Sequence, residues 1–248
     1  MRIMSVIPYA DKEKSPVEKK EAVRKMFDNI AGRYDLMNDI MTAGFHRRWK
    51  MLTAREVYQD GINRVLDIAC GTGDIGFAIE KFGVKEIYSG DLSSEMLKEA
   101  KKRAEKKNIS ERFSFNSMDA LKLPFRDETF DSVITGFSLR NVDGIDKMFS
   151  EVYRVLKKGG KFASLEITSM KSSIFSKMFD LYFKKVVPFV GGIVTGDKKA
   201  YEYLPESVAN VPDASKVAEM MEETGLTSIF VKRLGMGTVA IVSGIKQY

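Results

Sequence analysis

The stretch VLDIACGTGDIG, residues 65–76, holds Gly71, Gly73 and Gly76 in G-x-G-x-x-G spacing, with Asp67 ahead of the turn and Asp74 just inside it. Glycines so placed let a backbone come close to a ligand and adopt positive φ. Nicotinamide dinucleotides and S-adenosylmethionine share that need, so the glycines alone do not choose between them. The carboxylates do. A dinucleotide lays its pyrophosphate on the helix N-terminus, where Asp67 and Asp74 would repel it. S-adenosylmethionine has no phosphate, and its sulfonium and ammonium favour nearby carboxylates. Asp91, followed by Leu92, stands 18 residues after Gly73, placed to accept from ribose hydroxyls. In SMDALKLPF (117–125), Asp119 is placed to accept from an adenine amino group, with the N–H near Ala120 serving a ring nitrogen. Their joint occurrence predicts S-adenosylmethionine as cofactor and methyl transfer as the chemistry.

Such a set works only if strand ends face one crevice, and the rhythm of the chain supplies them. RVLDIA (64–69), EIYSG (86–90), FSFNS (113–117), FDSVITGF (130–137), KFASLEI (161–167), TSIFVKR (227–233) and TVAIVSGI (238–245) read as strands. Helical patterns separate them, among them 144–157, closed by a KKGG turn at 157–160, and 213–224. Alternation of this kind argues for a parallel sheet covered on both faces, with ligands beyond the carboxyl ends of its strands. Residues 1–18 are expected to form a flexible arm. One domain is expected over 19–248, with a helical cap at 19–60 and a lid-like insertion at 170–206 that breaks the strand–helix rhythm.

Composition narrows the classes. The chain has 248 residues, 44% hydrophobic and 30% charged, ample for a buried core. Its single cysteine and single histidine leave no disulfide framework, thiolate cluster or multi-histidine centre, so no metal is expected. The net charge of +6 is spread through runs such as KEAKKRAEKK (98–107), where acids interleave, and nucleic acid is not expected as a partner. No signal-peptide core or spanning apolar run is visible, which points to a cytoplasmic protein.

With those residues in place, the chain resembles the quinone-biosynthesis C-methyltransferases that act on demethylmenaquinol and the corresponding ubiquinone precursor. The similarity runs from about residue 23 to the C-terminus. It rests on YDLMND (34–39) with GFHRRWK (44–50), LDIACGTGD (66–74), FSLRNV (137–142), EVYRVLKKGG (151–160) and YEYLPESV (201–208). It implies a class I methyltransferase, a Rossmann-like α/β fold. Its seven-stranded sheet would be mostly parallel, with the last strand antiparallel and helices on both faces. Cofactor contacts are implied at Thr72, Asp91, Asp119 and Ala120, and a quinol is implied as substrate. Cys70 and Gly136 depart from the family pattern, which commonly has glycine and serine there, and KKGG replaces a usual K-P-G-G.

Individual residues carry alternatives. Tyr34 either faces the sulfonium, closes the site, or packs as a core aromatic. His46 is either a helix-surface histidine, its basicity depressed by Arg47 and Arg48, or a catalytic base. Arg140 and Asn141 follow the fourth strand, where substrate and methyl group meet; a structural Arg140 that caps a helix or pairs with Glu166 is the alternative. Cys70 reads as packing. In the insertion, Phe175, Phe179, Tyr182 and Phe183 at helical spacing, with lysines between them, form either an amphipathic lid over the pocket or a membrane surface, or a core-packing helix. A peripheral membrane contact follows from the second of these. The expected activity is methylation of a hydroquinone ring carbon, with Arg140 stabilising the phenolate, Asn141 orienting the ring oxygen, and His46 or a water taking the proton. A different small acceptor for the same methyl donor is the alternative.

Overall fold

The computed structural model describes residues 15–168, 181–208 and 211–248. Helix α1 (Pro16–Ile30) opens the described chain, followed by α2 (Tyr34–Thr42) and α3 (Phe45–Val57). Then come β1 (Arg64–Ile68), α4 (Asp74–Glu80), β2 (Glu86–Asp91), α5 (Ser94–Lys106), β3 (Phe113–Ser117) and β4 (Phe130–Gly136). Next are α6 (Ile145–Val155), β5 (Leu156–Ile167), a π-helical turn (Tyr182–Val186), α7 (Val187–Thr195) and α8 (Lys198–Val208). Helix α9 (Ala214–Glu223) and strands β6 (Leu226–Leu234) and β7 (Val239–Lys246) complete the fold.

The seven strands lie in the order β3-β2-β1-β4-β5-β7-β6. Strands β1 to β5 pair in parallel, and β7 runs antiparallel to both β5 and β6, as expected for the last strand. The strand order reverses between β1 and β4, which opens a crevice at their carboxyl ends. Side chains alternate across the sheet with period two. Leu66, Val133 and Phe162 face α6 and α9, where Phe149, Val152 and Met221 meet them. Val65, Ile134 and Leu165 face α3 and α4, against Val57, Ile75 and Ile79. A third cluster joins Met26, Ile30 and Met37 of the cap to Val187, Tyr201 and Leu204 of the insertion, so the two segments roof the crevice together.

Two boundaries differ from expectation. The arm ends earlier than residue 18, because Ser15 caps α1 in a capping box: its Oγ accepts from Glu18 N, and Ser15 N donates to Glu18 Oε2 at 2.9 Å. KKGG is not a turn after the helix but an irregularity within β5. Phe130 pairs with Leu156 and Ser132 with Lys161, so the extra residues bulge out, with Gly159 at φ +76°. Phe175, Phe179 and Lys177 of the expected amphipathic segment lie outside the described residues. Tyr182 and Phe183, which are described, pack against the third cluster.

Candidate active site

Two adjoining cavities open at the carboxyl ends of the strands. The first is lined by Gly71, Asp91, Leu92, Asp119 and Ala120, by Phe137, Ser138 and Asn141 after β4, and by Lys20, Phe27 and Tyr34 from the cap. The loop after β1 turns through Gly71 (φ +53°) and Gly73 (φ +87°), a region that favours glycine. Gly71 N donates to Asp91 Oδ2 at 2.9 Å and Ser93 N to Asp91 Oδ1 at 2.8 Å, so Asp91 ties the loop to the end of β2. Burial raises the Asp91 pKa, against the pull of those N–H groups. Asp119 keeps its pKa below the ordinary value despite partial burial, through Lys20 Nζ at 2.6 Å and Leu121 N at 3.0 Å.

Asp67, Thr72 and Gly73 are not on that wall. Asp67 is 1% exposed beneath the loop. Its Oδ2 accepts from Gly76 N at 2.9 Å, and its Oδ1 has no partner among the described residues. Burial pushes its carboxyl up to about 7. Gly76 is needed for close approach rather than for φ: a Cβ there would sit 3.2 Å from both Asp67 Oδ2 and Phe113 Cε1. Thr72 Oγ1 donates to Asp35 Oδ1 at 2.6 Å, and Gly73 caps α4. These arrangements speak against a pyrophosphate at the helix N-terminus, since the N–H groups of Gly71 and Gly76 are already given to carboxylates. An uncharged ribose and an adenine suit the acidic wall that remains.

The YDLMND and GFHRRWK pieces of the cap and the glycine turn form one charged network, which the sequence did not reveal. Asp74 meets Lys50 Nζ at 2.7 Å and also pairs with Arg103. Despite burial, the two cations hold its carboxyl well below the usual range. Arg103 reaches Asp35 at 2.8 Å and donates to Thr72 O at 2.8 Å. Asp39 pairs with Arg47 and lies 2.9 Å from His46 Nε2. His46 is therefore not a surface histidine; it is 2% exposed. Burial first, then Lys50, lowers its pKa, while Asp39 opposes the shift; the flanking arginines are not the cause.

The second cavity shares Phe27, Tyr34 and Phe137 with the first, and is otherwise lined by Asn38, Thr42, His46, Trp49, Arg140, Phe183, Tyr201 and mostly apolar neighbours. Tyr34 thus sits at the junction, against Gly71 and edge-on to Phe27 at 6.2 Å between centroids. Phe137 shares that junction and holds φ +58°, a left-handed conformation costing a non-glycine residue about 1–2 kcal/mol. Arg140 donates to Ser207 Oγ at 3.1 Å, and its Nε is buried without a partner among the described residues. The expected alternative, a pairing with Glu166, is not made. Glu166 Oε1 instead accepts from Ser138 N (2.8 Å) and Leu139 N (3.0 Å), fastening the turn that carries Arg140 and Asn141. Burial pushes Glu166 up to about 7, against those N–H groups and the Arg140 charge. Burial also pushes the Cys70 thiol well above its ordinary value, as suits a packing residue.

At Gly136 a Cβ would lie 2.5 Å from Ile75 Cδ1, the free end of that side chain. Gly136→Ser is expected to destabilise the fold by about 0.5–1.5 kcal/mol, the cost of turning Ile75 off its rotamer. Adding Ile75→Val, which removes Cδ1, is expected to restore most of the denaturation midpoint. A Gly136→Ser protein as stable as wild type would mean that Ile75 moves aside freely.

A glycine loop after β1, acidic residues after β2 and β3, and a second cavity beside them on this seven-stranded sheet define a class I S-adenosylmethionine-dependent methyltransferase. A SAM-dependent methyltransferase of Thermotoga maritima shares the fold, with a TM-score of 0.63 at 17% identity, covering 90% of this chain and 99% of that one. The profile of the ubiE/COQ5 methyltransferase family matches residues 15–246, and the chain belongs to that family. Among curated relatives, the ubiquinone/menaquinone biosynthesis C-methyltransferase UbiE of Methylococcus capsulatus is 38% identical over 92% of this chain and 93% of its own length. The UbiE protein of Rhodopseudomonas palustris is 40% identical over 92% of each. The family match opens at the cap of α1, ahead of the resemblance that begins near residue 23.

Proposed function

We propose that the chain methylates a ring carbon of a demethylated quinol in menaquinone or ubiquinone biosynthesis, as the names of its relatives suggest. The observation that carries this reading is an apolar cavity that adjoins the cofactor cavity and has one guanidinium, Arg140, on its wall. Asp91, Asp119 and the Gly71 loop would hold S-adenosylmethionine. Bound there, it supplies an electrophilic methyl group, whose bond to sulfur breaks as the bond to the ring carbon forms. The protein's task is to make that carbon nucleophilic. A phenol of pKa about 10 is mostly neutral at pH 7. Arg140 stabilises the phenolate, and the apolar lining strengthens that contact by excluding water; Asn141, on the wall of the cofactor cavity with its Oδ1 accepting from Tyr203, holds the turn that carries Arg140. His46, tied through Nε2 to Asp39 and on the wall of the same cavity, would take the proton released from the ring, directly or through a water.

The test is incubation with labelled S-adenosylmethionine and a chemically reduced, short-tailed demethylmenaquinol, with mass spectrometry of the product. A methylated ring carbon supports the reading. No product, with the donor still bound in a parallel titration, would leave a methyltransferase of another acceptor. The same reading includes a peripheral membrane contact, supported by the exposed pairs Leu36/Ile40 on α2 and Phe189/Ile193 on α7, each four residues apart on its helix. Flotation with anionic liposomes tests it, and a protein that stays with the unbound fraction overturns it.

A further inference from the structure

The two cavities meet where a methyl group must cross from donor to acceptor, and three side chains line both: Phe27, Tyr34 and Phe137. All three are aromatic. Tyr34 packs its ring toward the glycine loop, since a Cβ at Gly71 would fall 3.9 Å from its Cε1. Phe27 meets Tyr34 edge-to-face, and the guanidinium carbon of Arg140, from the second cavity, lies 6.0 Å from its centroid. The helix that carries Phe27 is pinned on either side of it. Lys20 Nζ donates to Asp119 Oδ2, and Ser93 Oγ to Asp28 Oδ1, each at 2.6 Å. Phe137 keeps its place at φ +58°, a conformation that glycine would adopt without strain.

Aromatic faces attract a cation, most strongly where water is excluded. S-Adenosylmethionine enters as a sulfonium. When its methyl leaves, the S–C electron pair stays on sulfur, and the S-adenosylhomocysteine that remains carries an uncharged thioether. We infer that Phe27, Tyr34 and Phe137 form an aromatic collar that recognises the sulfonium and so favours the methyl donor over its demethylated product. Exclusion of water alone would not call for rings, because aliphatic side chains such as Met26, Ile30 and Leu204 line the rest of the second cavity. Carboxylates are the other groups able to prefer a cation, and none lines both cavities. Asp91, Asp119 and Asp143 line the first alone, and Asp67 is buried beneath the loop. The inference requires S-adenosylmethionine as donor but not a quinol as acceptor, so it goes beyond the reading above and does not depend on it.

S-Adenosylmethionine and S-adenosylhomocysteine are titrated calorimetrically, without acceptor, into wild type, Phe27→Leu and Phe137→Leu. Leucine keeps an apolar side chain and removes the aromatic face. Each substitution is expected to lower the preference for the sulfonium about two- to fivefold, the worth of one cation–π contact. The loss should fall on S-adenosylmethionine, with S-adenosylhomocysteine bound within twofold of wild type. Because the readout is a ratio of two affinities in one variant, a general loosening of the fold cancels from it. Trp49, the single tryptophan, lines the second cavity, and its emission reports ligand binding there and the integrity of that wall. A preference unchanged in both variants, or equal losses for the two ligands, overturns the collar and leaves the quinol reading untouched. Failure of wild type to bind either ligand overturns the donor assignment itself.

Discussion

Arg140→Ala is expected to lower kcat by about two to three orders of magnitude, the usual cost of removing a donor to a developing oxyanion, while leaving affinity for S-adenosylmethionine unchanged. The size follows from placement. Arg140 is the guanidinium on an apolar wall, where a phenolate has no water to replace the lost charge. Its separation from the cofactor follows from the same geometry, since Arg140 lines the second cavity and not the first. Structural damage should be small, because the turn that carries it is held by Glu166 through backbone N–H groups rather than through the guanidinium. Arg140→Lys keeps the charge but loses the planar fork, so it should recover only part of the rate. Stopped-flow single turnover separates chemistry from product release, and a melting curve checks the fold. Turnover within twofold of wild type in Arg140→Ala would remove the residue from the mechanism.

The parts of this molecule that were legible in its sequence are those decided locally. β1, nearly all buried, reads as a short apolar run between turn residues, and β3, at the sheet edge, alternates apolar and polar residues, so β1, β2 and β3 fell within a residue of expectation. Asp91 and Asp119 were legible because a strand end places the next residue in the crevice. What escaped was set by contacts distant in sequence. Lys20 lies 99 residues from Asp119, and Arg103 lies 31 from Thr72; no spacing rule joins them. His46 is an instructive miss. Its neighbours Arg47 and Arg48 suggested a solvated position, but successive helix residues point about 100° apart. Buried His46, Lys50, Thr53, Ala54 and Val57 recur at helical spacing along one face of α3. Lys50 disguised that face, since a lysine there is tolerated only because Asp74 pairs with it. KKGG misled for the opposite reason: its glycines do make a local bend, and β-pairing resumes on either side of it.

Asp91→Ala should act on the other substrate, raising the dissociation constant for S-adenosylmethionine by about two to four orders of magnitude. Two charge-assisted hydrogen bonds to ribose hydroxyls would be lost, each worth about 1.5–3 kcal/mol. The same substitution strips the partners from Gly71 N and Ser93 N, so the glycine loop loses its tie to β2. Asp91→Asn separates the two effects. Its single carbonyl oxygen can still anchor one of those N–H groups, and its charge is gone, so its affinity should fall between alanine and wild type. Quinol binding, read by Trp49, should be untouched in both variants, because Asp91 lines only the first cavity. At saturating donor the rate should return most of the way to wild type, the reverse of the Arg140→Ala pattern, since uniform binding is removed rather than transition-state stabilisation. Calorimetric titration of the donor decides the matter: equal affinity in wild type and Asp91→Ala would mean that the ribose does not lie at the end of β2, and the cofactor would have to be placed elsewhere along the crevice.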